Sequence, residues 1–423
     1  MKAGDFLGIS HSHIADLLTP LTHGQGDNLT GDELETRFAW AAFSTLVEPG
    51  DTDARALVQA LGPAEALRIV VHGEAADTVA ARMREADQAA ALAVTPRLTA
   101  ALARWKPRVA LATATRALTA AAHLRASLLT PDDTAWPLTL DALGDGAPLA
   151  LWVRGDLARL PELNRSIALV GARAATGYGE HVALESAAGL SDRGFAIVSG
   201  GAYGIDGAAH RAALASDRTT VAFLAGGVDR LYPAGNSRLL ERIADSGLLI
   251  GELPCGSPPT RWRFLQRNRL IAAVATATVV VEAGRRSGSL NTAGHAAMMG
   301  RPLGAVPGPI TSPASSGCHR LIREYDAVCV TSADEMAELA TGAALPDPAL
   351  APVAASDRRT NATATGGAEE TRLLDALSTR RSRPIADIAA RSGLSAAEVM
   401  AALGRLELAG RVAESEGSWS KVH

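Results

Sequence analysis

The second half of the chain alternates short apolar runs with amphipathic stretches, and this alternation predicts a sheet. Runs rich in Val, Ile and Leu recur at 167–170, 196–198, 220–224, 248–251, 278–281, 303–306 and 328–330. Short strands that are apolar on both faces and separated by helices are typical of a doubly wound, mostly parallel α/β fold. Because the crossovers are right-handed, the carboxyl ends of the strands share one edge, where ligands bind.

A helical period dominates before this sheet. Apolar residues recur every three or four positions from Phe38 to Leu46, which predicts an amphipathic helix. We therefore predict a helical domain over residues 31–130, with Pro107 interrupting its last long stretch. Two short helical stretches around a Gly62-Pro63 turn are compatible with a helix–hairpin–helix, which grips DNA phosphates through backbone N–H groups. An ordinary helical bundle explains the same pattern.

The two ends of the chain have a different character from the predicted sheet domain over residues 131–340. Residues 1–30 are polar and turn-rich, so we expect a loose tail. Residues 341–369 are rich in Pro, Ala, Thr and Gly, which predicts a flexible linker. Residues 370–423 show two apolar helical stripes, a capping box that opens a third helix, and a glycine-bounded hairpin. This order predicts a winged helix, which binds either DNA or a protein partner.

Composition limits the classes of function. The net charge of −4 over 423 residues argues against a uniformly basic DNA-coating protein, so a nucleic-acid site has to be local. The three cysteines form no CxxC pair and indicate neither a zinc site nor a disulfide framework. No apolar run reaches the ~18 residues that a membrane span needs, and no signal peptide is evident. We expect a cytoplasmic protein without metal or cofactor.

Four glycine-rich turns come directly after predicted strands, so all four should meet at the carboxyl edge of the sheet. Glycine lets a backbone approach a phosphate closely, and a helix N-terminus presents free N–H groups to it. In the second turn, Gly200 and Gly201 are predicted to hold a phosphate in this way, with Asp206 capping the next helix. The turns are 171–179, 199–206, 226–233 and 282–293.

An arginine-rich segment without acidic residues, 261–269, lies between the third and fourth turns. Arginine beside glycine-rich turns indicates a polyanion rather than a lone nucleotide. Arg173 at the first turn is predicted to fork onto a phosphate, and Ser287 and Ser289 are predicted to form an anion nest at a helix start. Phe264 is either a buried side chain or a platform on which a base stacks.

The residues suited to catalysis are few. Glu282 at a strand end is a candidate base, and Asp229 is a candidate partner for a cation. His210 and His295 lie inside predicted helices and are expected to be structural. Since no nucleophile–base order, carboxylate pair or metal spacing is present, we predict that the protein is not an enzyme.

Twelve short motifs, in order along the chain, closely resemble the DprA/Smf family of DNA-processing proteins. The likeness runs from about residue 131 to residue 330. The motifs are Val170-Gly-Ala-Arg173, Tyr178-Gly179, Ser199-Gly-Gly-Ala202, Gly204-Ile-Asp206, Gly226-Gly-Val-Asp229, Tyr232-Pro233, Gly251-Glu-Leu-Pro254, Arg267-Asn-Arg-Leu-Ile271, Val281-Glu-Ala283, Ser287-Gly-Ser-Leu290, Thr292-Ala293 and Val306-Pro-Gly308.

This resemblance implies an extended Rossmann-like fold that binds single-stranded DNA without sequence preference, usually as a homodimer. It also implies delivery of the RecA recombinase onto strands taken up in natural transformation. Matched position by position, the family's DNA pocket corresponds to Arg173, Gly200, Gly201, Arg267, Asn268, Arg269, Ser287 and Ser289.

The chain departs from the family pattern at two places. A proline usually precedes the Arg-Asn-Arg segment, where this chain has Phe264-Leu-Gln266. The last helix of the core usually ends in Gly-Ala, where this chain has Tyr325-Asp-Ala327. The second change places an acid near a turn that is normally neutral, and with the near-neutral core it predicts a modest, salt-sensitive affinity.

Two other classes of protein compete with this interpretation. Nucleotide phosphoribohydrolases share a glycine-rich Rossmann core, but their Pro-Gly-Gly-x-Gly-Thr-x-x-Glu motif is absent, and Glu282 with Ser287-Gly-Ser289 comes nearest to it. A regulator of double-stranded DNA acting through the winged helix would be expected to carry a more basic C-terminal unit.

Overall fold

The computed structural model describes residues 5–22, 29–342 and 358–422, which form an N-terminal helical unit, a central α/β unit and a C-terminal winged helix. The helices are α1 (His11–Leu18), α2 (Gly31–Leu46), α3 (Thr52–Leu61), α4 (Pro63–His72), α5 (Ala76–Ala86), α6 (Gln88–Trp105), α7 (Leu111–His123), α8 (Gly177–Asp192), α9 (Ile205–Ala215), α10 (Ser237–Ser246), α11 (Arg261–Val274), α12 (Ser289–Met298), α13 (Ser316–Glu324), α14 (Ala333–Thr341), α15 (Arg358–Ala376), α16 (Ile385–Ser392) and α17 (Ala396–Leu408).

The strands of the described residues are two to six residues long. They are β1 (Asp5–Phe6), β2 (Ile9–Ser10), β3 (Ser127–Leu129), β4 (Leu151–Gly155), β5 (Ser166–Gly171), β6 (Ala196–Ser199), β7 (Thr220–Leu224), β8 (Leu248–Gly251), β9 (Ala277–Glu282), β10 (Leu303–Ala305), β11 (Val328–Cys329), β12 (Arg383–Pro384), β13 (Val412–Ser415) and β14 (Ser418–Lys421). Short 3₁₀ segments span Thr19–Leu21, Lys106–Arg108, Leu138–Gly146, Leu157–Arg165, Ala234–Asn236 and Pro313–Ser315.

The central sheet confirms the predicted doubly wound fold. Its order within the described residues is β11-β10-β9-β5-β6-β7-β8-β4-β3. Neighbours from β11 to β8 are parallel, and β4 is antiparallel to both β8 and β3. The chain builds outward from β5 to β8 and then crosses back to place β9 on the other side of β5. The carboxyl ends of β5 and β9 therefore flank a topological switch point, where open α/β sheets bind ligands.

Two apolar cores lie on the two faces of this sheet. Ile167 and Leu169 of β5 pack into one core, whereas Ala168 and Val170 pack into the other. Successive side chains of a strand point to opposite faces, so a strand that is covered on both sides is apolar at every position. The unbroken apolar runs of the sequence have this cause.

The expectation of a loose tail over residues 1–30 is wrong for residues 5–22. These form the β1–β2 hairpin, α1 and a 3₁₀ turn, and Phe6, Ile14 and Leu18 are fully buried. Phe6 packs edge-on against Phe38 of α2, with ring centroids 6.3 Å apart. The buried residues of α1, Ile14 and Leu18, are four positions apart, which is a helical spacing. The polar residues around them made this short pattern hard to recognise in the sequence. Residues 1–4 and 23–28 lie outside the described residues.

The rest of the N-terminal unit matches the helical prediction as far as its last segment. α6 ends at Trp105 and is succeeded by a 3₁₀ turn containing Pro107, as predicted. The chain then leaves the helical pattern earlier than expected, because Ser127–Leu129 is the edge strand β3 of the central sheet. α3 and α4 meet at Gly62, whose φ of 78° makes the tight turn. A helix–hairpin–helix role for this pair stays a prediction.

The C-terminal unit has the predicted winged-helix elements. α15, α16 and α17 enclose a small core, and β13 and β14 form the hairpin wing, with β12 paired to β14. Ser395 and Glu398 form the capping box that begins α17. Much of the expected linker, 343–357, lies outside the described residues, and its described last part belongs to α15.

Candidate nucleic-acid interface

A groove of about 810 Å³ opens at the carboxyl ends of β5 and β9. We call it the carboxyl-edge groove. Four segments form its walls: the turn after β5, the turn from β6 into α9, one face of α11, and the turn that leads into α12. Its lining includes the side chains of Arg173, Asp206, Arg261, Phe264, Arg267, Asn268, Arg286, Ser287 and Ser289.

Three arginines give the groove its charge. Arg173, Arg261 and Arg286 are exposed, and none of them makes an ion pair with an acidic side chain among the described residues. Asp206 is the acid among the lining residues, and it is buried. The groove is therefore locally positive although the net charge of the chain is −4, as the composition requires for a polyanion site.

An aromatic surface lies beside these charges. The Arg173 guanidinium stands 4.7 Å from the centroid of the Phe264 ring. Tyr232, which is about half exposed, packs against the same ring with centroids 5.6 Å apart. Phe264 is half-buried and lines the groove, so it is available for stacking without belonging to the core. A flexible base has both an aromatic face and a guanidinium plane within reach.

The Gly200–Gly201 turn does not offer its backbone to the groove as predicted. The N–H groups of Gly200 and Ala202 donate to Asp206 Oδ2 at 3.2 and 3.4 Å. Burial raises the pKa of the Asp206 carboxyl, while Arg267 and these N–H groups oppose the rise. The Asp206 carboxylate thus holds the turn that precedes its own helix, α9. The Gly200 N–H, which was predicted to contact a phosphate, donates to this carboxylate instead. Gly201 has a φ of 69°, which the turn requires.

Arg267 borders the groove but points into the protein. Only 5% of it is exposed, and it donates to the carbonyl oxygens of Gly200 and Phe223, the first at 2.8 Å. These carbonyls lie at the ends of β6 and β7, so the guanidinium ties two strand ends together. Burial lowers the pKa of Arg267 to about 10. Arg267 therefore stabilises the edge of the sheet. Only the side of its guanidinium that lines the groove is accessible to a phosphate.

Asn268, Ser287 and Ser289 are brought together as predicted. The Asn268 amide donates to the Gly288 carbonyl at 3.4 Å and to Asn291 Oδ1 at 3.2 Å, which fixes the turn before α12. The hydroxyls of Ser287 and Ser289 lie 2.7 Å apart at the N-terminus of α12. The N–H groups of Ser289 and Leu290 donate to Ser287 within the turn, so the two hydroxyls and the positive end of the α12 dipole are what this helix start offers to an anion.

Arg269 does not lie in the groove, which corrects its assignment to the pocket. It is 5% exposed and forms a two-pronged ion pair with Glu252, both N···O distances being 2.8 Å. Its Nε donates to the Gly146 carbonyl at 3.0 Å. Residues two apart on a helix point in nearly opposite directions, so Arg267 and Arg269 of α11 cannot serve the same groove.

The candidate catalytic groups have structural partners. Glu282 is buried and accepts from the N–H and hydroxyl of Thr176, the N-cap residue of α8, at 2.8 and 2.7 Å. His210 is fully buried with Nδ1 2.7 Å from the Thr220 hydroxyl, and burial lowers its pKa to about 3. Asp229 accepts from the Gly256 N–H and pairs with Arg230, a cation as predicted.

Arg261 is a groove residue that the sequence interpretation did not single out. The arginine-rich segment is itself helical, because Thr260 caps α11 and the helix begins at Arg261. On this helix, positions 261, 264, 265 and 268 fall on one face, and all four line the groove. The N-cap threonine is the signal in the sequence that would have separated Arg261 from Arg269.

Within the described part of the chain, no helix is both long and apolar enough to cross a membrane. The same residues contain no group of three or more His, Cys, Asp or Glu side chains that would hold a metal ion.

Comparison with known families gives two matches that divide the chain as the structure does. Residues 127–341 match the model of DNA recombination-mediator protein A. Residues 357–418 match the DprA winged helix domain. The first match begins at β3 and ends with α14, so it coincides with the central α/β unit.

Individual relatives carry the same names. A DprA-type DNA processing protein of Mycobacterium tuberculosis is 44% identical over 399 residues, which cover 91% of this chain and 94% of the relative. Protein Smf of Escherichia coli is 40% identical over 212 residues, covering 50% of this chain and 56% of that protein. The X-ray structure of DNA processing protein A from Streptococcus pneumoniae superposes with a TM-score of 0.55 at 28% identity, covering 71% of this chain and 96% of that one.

Proposed function

This chain belongs to the DprA/Smf family of DNA-processing proteins, and from that premise we propose that it binds single-stranded DNA along the carboxyl-edge groove. The observation that carries the proposal is the set of exposed arginines, Arg173, Arg261 and Arg286, which have no acidic partner among the described residues. They lie beside the half-buried Phe264 and the serine-lined start of α12. Charge tracks the DNA backbone and the ring accepts a base, and neither contact reads sequence.

We also propose a role for the protein once the strand is bound. The matched family model is described as a recombination mediator, which supports delivery of a RecA-type recombinase onto the bound strand. A homodimer that presents two grooves would hold a longer strand and is proposed with it. The protein acts in this scheme by holding DNA rather than by catalysis, consistent with the structural partners of Glu282 and His210.

The test is binding of the full chain to a fluorescent oligothymidine and to a matched duplex over a range of salt. We expect preference for the single strand and a log–log salt slope that reflects the phosphates contacted, about 0.7 each on single strands. Arg173→Ala should weaken binding to all sequences alike and reduce that slope by about 0.7.

Arg269→Ala is the matched control, because Arg269 is an arginine of the same motif that lies outside the groove. It should lower stability and leave the affinity per folded molecule unchanged. Equal affinity for duplex and single strand, or an unchanged slope in Arg173→Ala, would remove the groove as the binding site.

A further inference from the structure

A second cavity, of about 170 Å³, lies where the three units meet. We call it the junction cavity. Arg108 reaches it from the N-terminal unit, Trp262 and Arg263 from α11, and Arg372 and Arg383 from the winged helix. None of these residues belongs to the carboxyl-edge groove. Consecutive residues of α11, Arg261 and Trp262, nevertheless line the two different cavities.

The carboxylates that face the junction cavity are already engaged. Glu48 accepts from Arg263 at 2.7 and 3.0 Å and from Arg108 at 2.7 Å. Burial raises the pKa of the Glu48 carboxyl, but the guanidinium groups of Arg263 and Arg108 outweigh this and lower that pKa to about 2. Glu48 therefore stays ionised. Asp375 Oδ2 accepts from the Trp262 backbone N–H at 3.0 Å. Neither carboxylate is directed at the remaining donors.

Three buried donors of the cavity have no partner among the described residues. They are Arg108 Nη1, the indole Nε1 of Trp262 and Arg383 Nε. The Arg108 side chain is only 10% exposed, so bulk water does not solvate it freely. A buried donor left without an acceptor costs about 1–3 kcal/mol, more if charged, and such groups are rare in native proteins. Three such donors on side chains that line one cavity indicate an acceptor within it.

The charge of the site indicates an anion. Five arginines line the cavity, the fifth being Arg391, against Glu48 and Asp375. Asp387 at the rim pairs with Arg383 and Arg391 at 2.8 and 2.9 Å. Five positive charges against three negative ones leave an excess of two. Burial lowers the pKa of Arg108 and of Arg372, as expected for cations that lack a full complement of negative charge.

We propose that the junction cavity binds one phosphate group, held by Arg108, Trp262 and Arg383. Its volume of about 170 Å³ is roughly ten times the 10–15 Å³ that a cavity needs to hold one water, so it has room for a phosphate together with several waters. The three side chains come from three separate units of the protein, and a tetrahedral anion, which accepts hydrogen bonds from several directions, suits such a set better than a planar carboxylate. The bound phosphate joins the winged helix to the rest of the protein, either as free phosphate or as part of a DNA backbone that passes Arg261.

The test is thermal unfolding of the full chain with inorganic phosphate added at constant ionic strength. We expect a saturable rise in Tm, about 2 °C at ten times Kd. The rise should vanish in Arg108→Gln and in Trp262→Phe, which keeps a ring beneath Arg372 but removes the indole N–H. It should persist in Arg116→Gln, a matched change on exposed α7 surface, and in Arg173→Gln of the groove.

Three outcomes would overturn the proposal: a rise that does not saturate, a rise that survives Trp262→Phe, or a rise lost in Arg173→Gln, which would place the phosphate in the groove. Trp262→Phe alone decides the matter if Arg108→Gln does not fold.

Repeating the titration with saturating oligothymidine distinguishes free phosphate from the DNA backbone as the source of the bound group. Loss of the phosphate effect identifies the DNA backbone as the ligand, and its retention identifies free phosphate.

Discussion

At the scale of single residues, the arginines in and next to the carboxyl-edge groove fall into two kinds. Arg173, Arg261 and Arg286 are exposed and lack acidic partners in the described structure. Arg267 and Arg269 are buried and donate to carbonyl or carboxylate oxygens of the protein itself. The second kind builds the sheet edge and the first kind remains for a ligand. A sequence motif that contains an arginine therefore does not tell which of these tasks the side chain performs.

Gly200 shows how closely the buried Arg267 side chain packs against the backbone. A Cβ added there would stand 2.6 Å from the Arg267 guanidinium carbon. We expect Gly200→Ala to displace Arg267 from the carbonyls of β6 and β7 and to lower the free energy of unfolding by about 1–3 kcal/mol. Urea denaturation measures this.

Gly294→Ala is the control for that change. Gly294 lies inside α12, and a Cβ there meets nothing within 4 Å. Alanine is the better helix former by about 1 kcal/mol, so this variant should match or exceed the wild type in stability. If Gly200→Ala behaved like Gly294→Ala, the close fit around Arg267 would be refuted.

At the scale of elements, α11 is the part that all three units share. One face lines the carboxyl-edge groove through Arg261, Phe264 and Asn268. Its other face carries Arg263, bound to Glu48 of the N-terminal unit. Its first turn is capped from the winged helix, since Asp375 accepts from the Trp262 N–H.

The interdomain cap gives a prediction for this element. Asp375→Ala removes an acceptor and a negative charge from the N-terminus of α11, and we expect a loss of about 1 kcal/mol in stability. Thermal unfolding compares it with Asp334→Ala, a matched change at an exposed ion pair with Arg193, which should cost less than about 0.5 kcal/mol. Equal effects of the two changes would show that the cap contributes nothing.

Secondary-structure elements could be predicted wherever a local pattern of apolar and polar residues defines them. Contacts between side chains and loops could not be predicted from such patterns. The seven strands of the parallel sheet could be predicted from the period of apolar residues, and the winged helix from that period together with a capping box and a glycine-bounded hairpin. The engagement of the Gly200 N–H by Asp206 could not, since it depends on a loop geometry that no spacing encodes. α1 was missed because its apolar residues, such as Ile14, become informative only when α2 covers them.

At the scale of the whole molecule, buried titratable groups set its response to acid. The pKa of His210 is lowered to about 3, and that of His295 to about 4, in both cases by burial. A histidine with a depressed folded pKa loses stability as pH falls below its unfolded value of about 6.5, because the unfolded chain then binds more protons. Glu48, with a pKa of about 2, adds a loss as pH falls below the ordinary glutamate value of 4.5.

We therefore expect stability to decline from about pH 6.5 downward. Between pH 8 and pH 5, His210 alone should account for a loss of about 2 kcal/mol. Urea denaturation at pH 8 and at pH 5 measures the free energy of unfolding. In His210→Gln, the difference between the two values should be smaller than in the wild type by this amount. The exposed His181→Gln is the control and should retain the wild-type dependence. Identical pH dependence in His210→Gln and the wild type would contradict the assignment of the effect to this residue.

The shared helix α11 also determines how the molecule comes apart. A chain whose units met only through surface loops would melt in separate steps. Here loss of the N-terminal unit would leave Arg263 of α11 without Glu48, and loss of the winged helix would leave the Trp262 N–H without Asp375. The heat of unfolding should accordingly be absorbed in a single endotherm, with the calorimetric and van't Hoff enthalpies equal, despite a length at which multi-unit proteins usually unfold in stages.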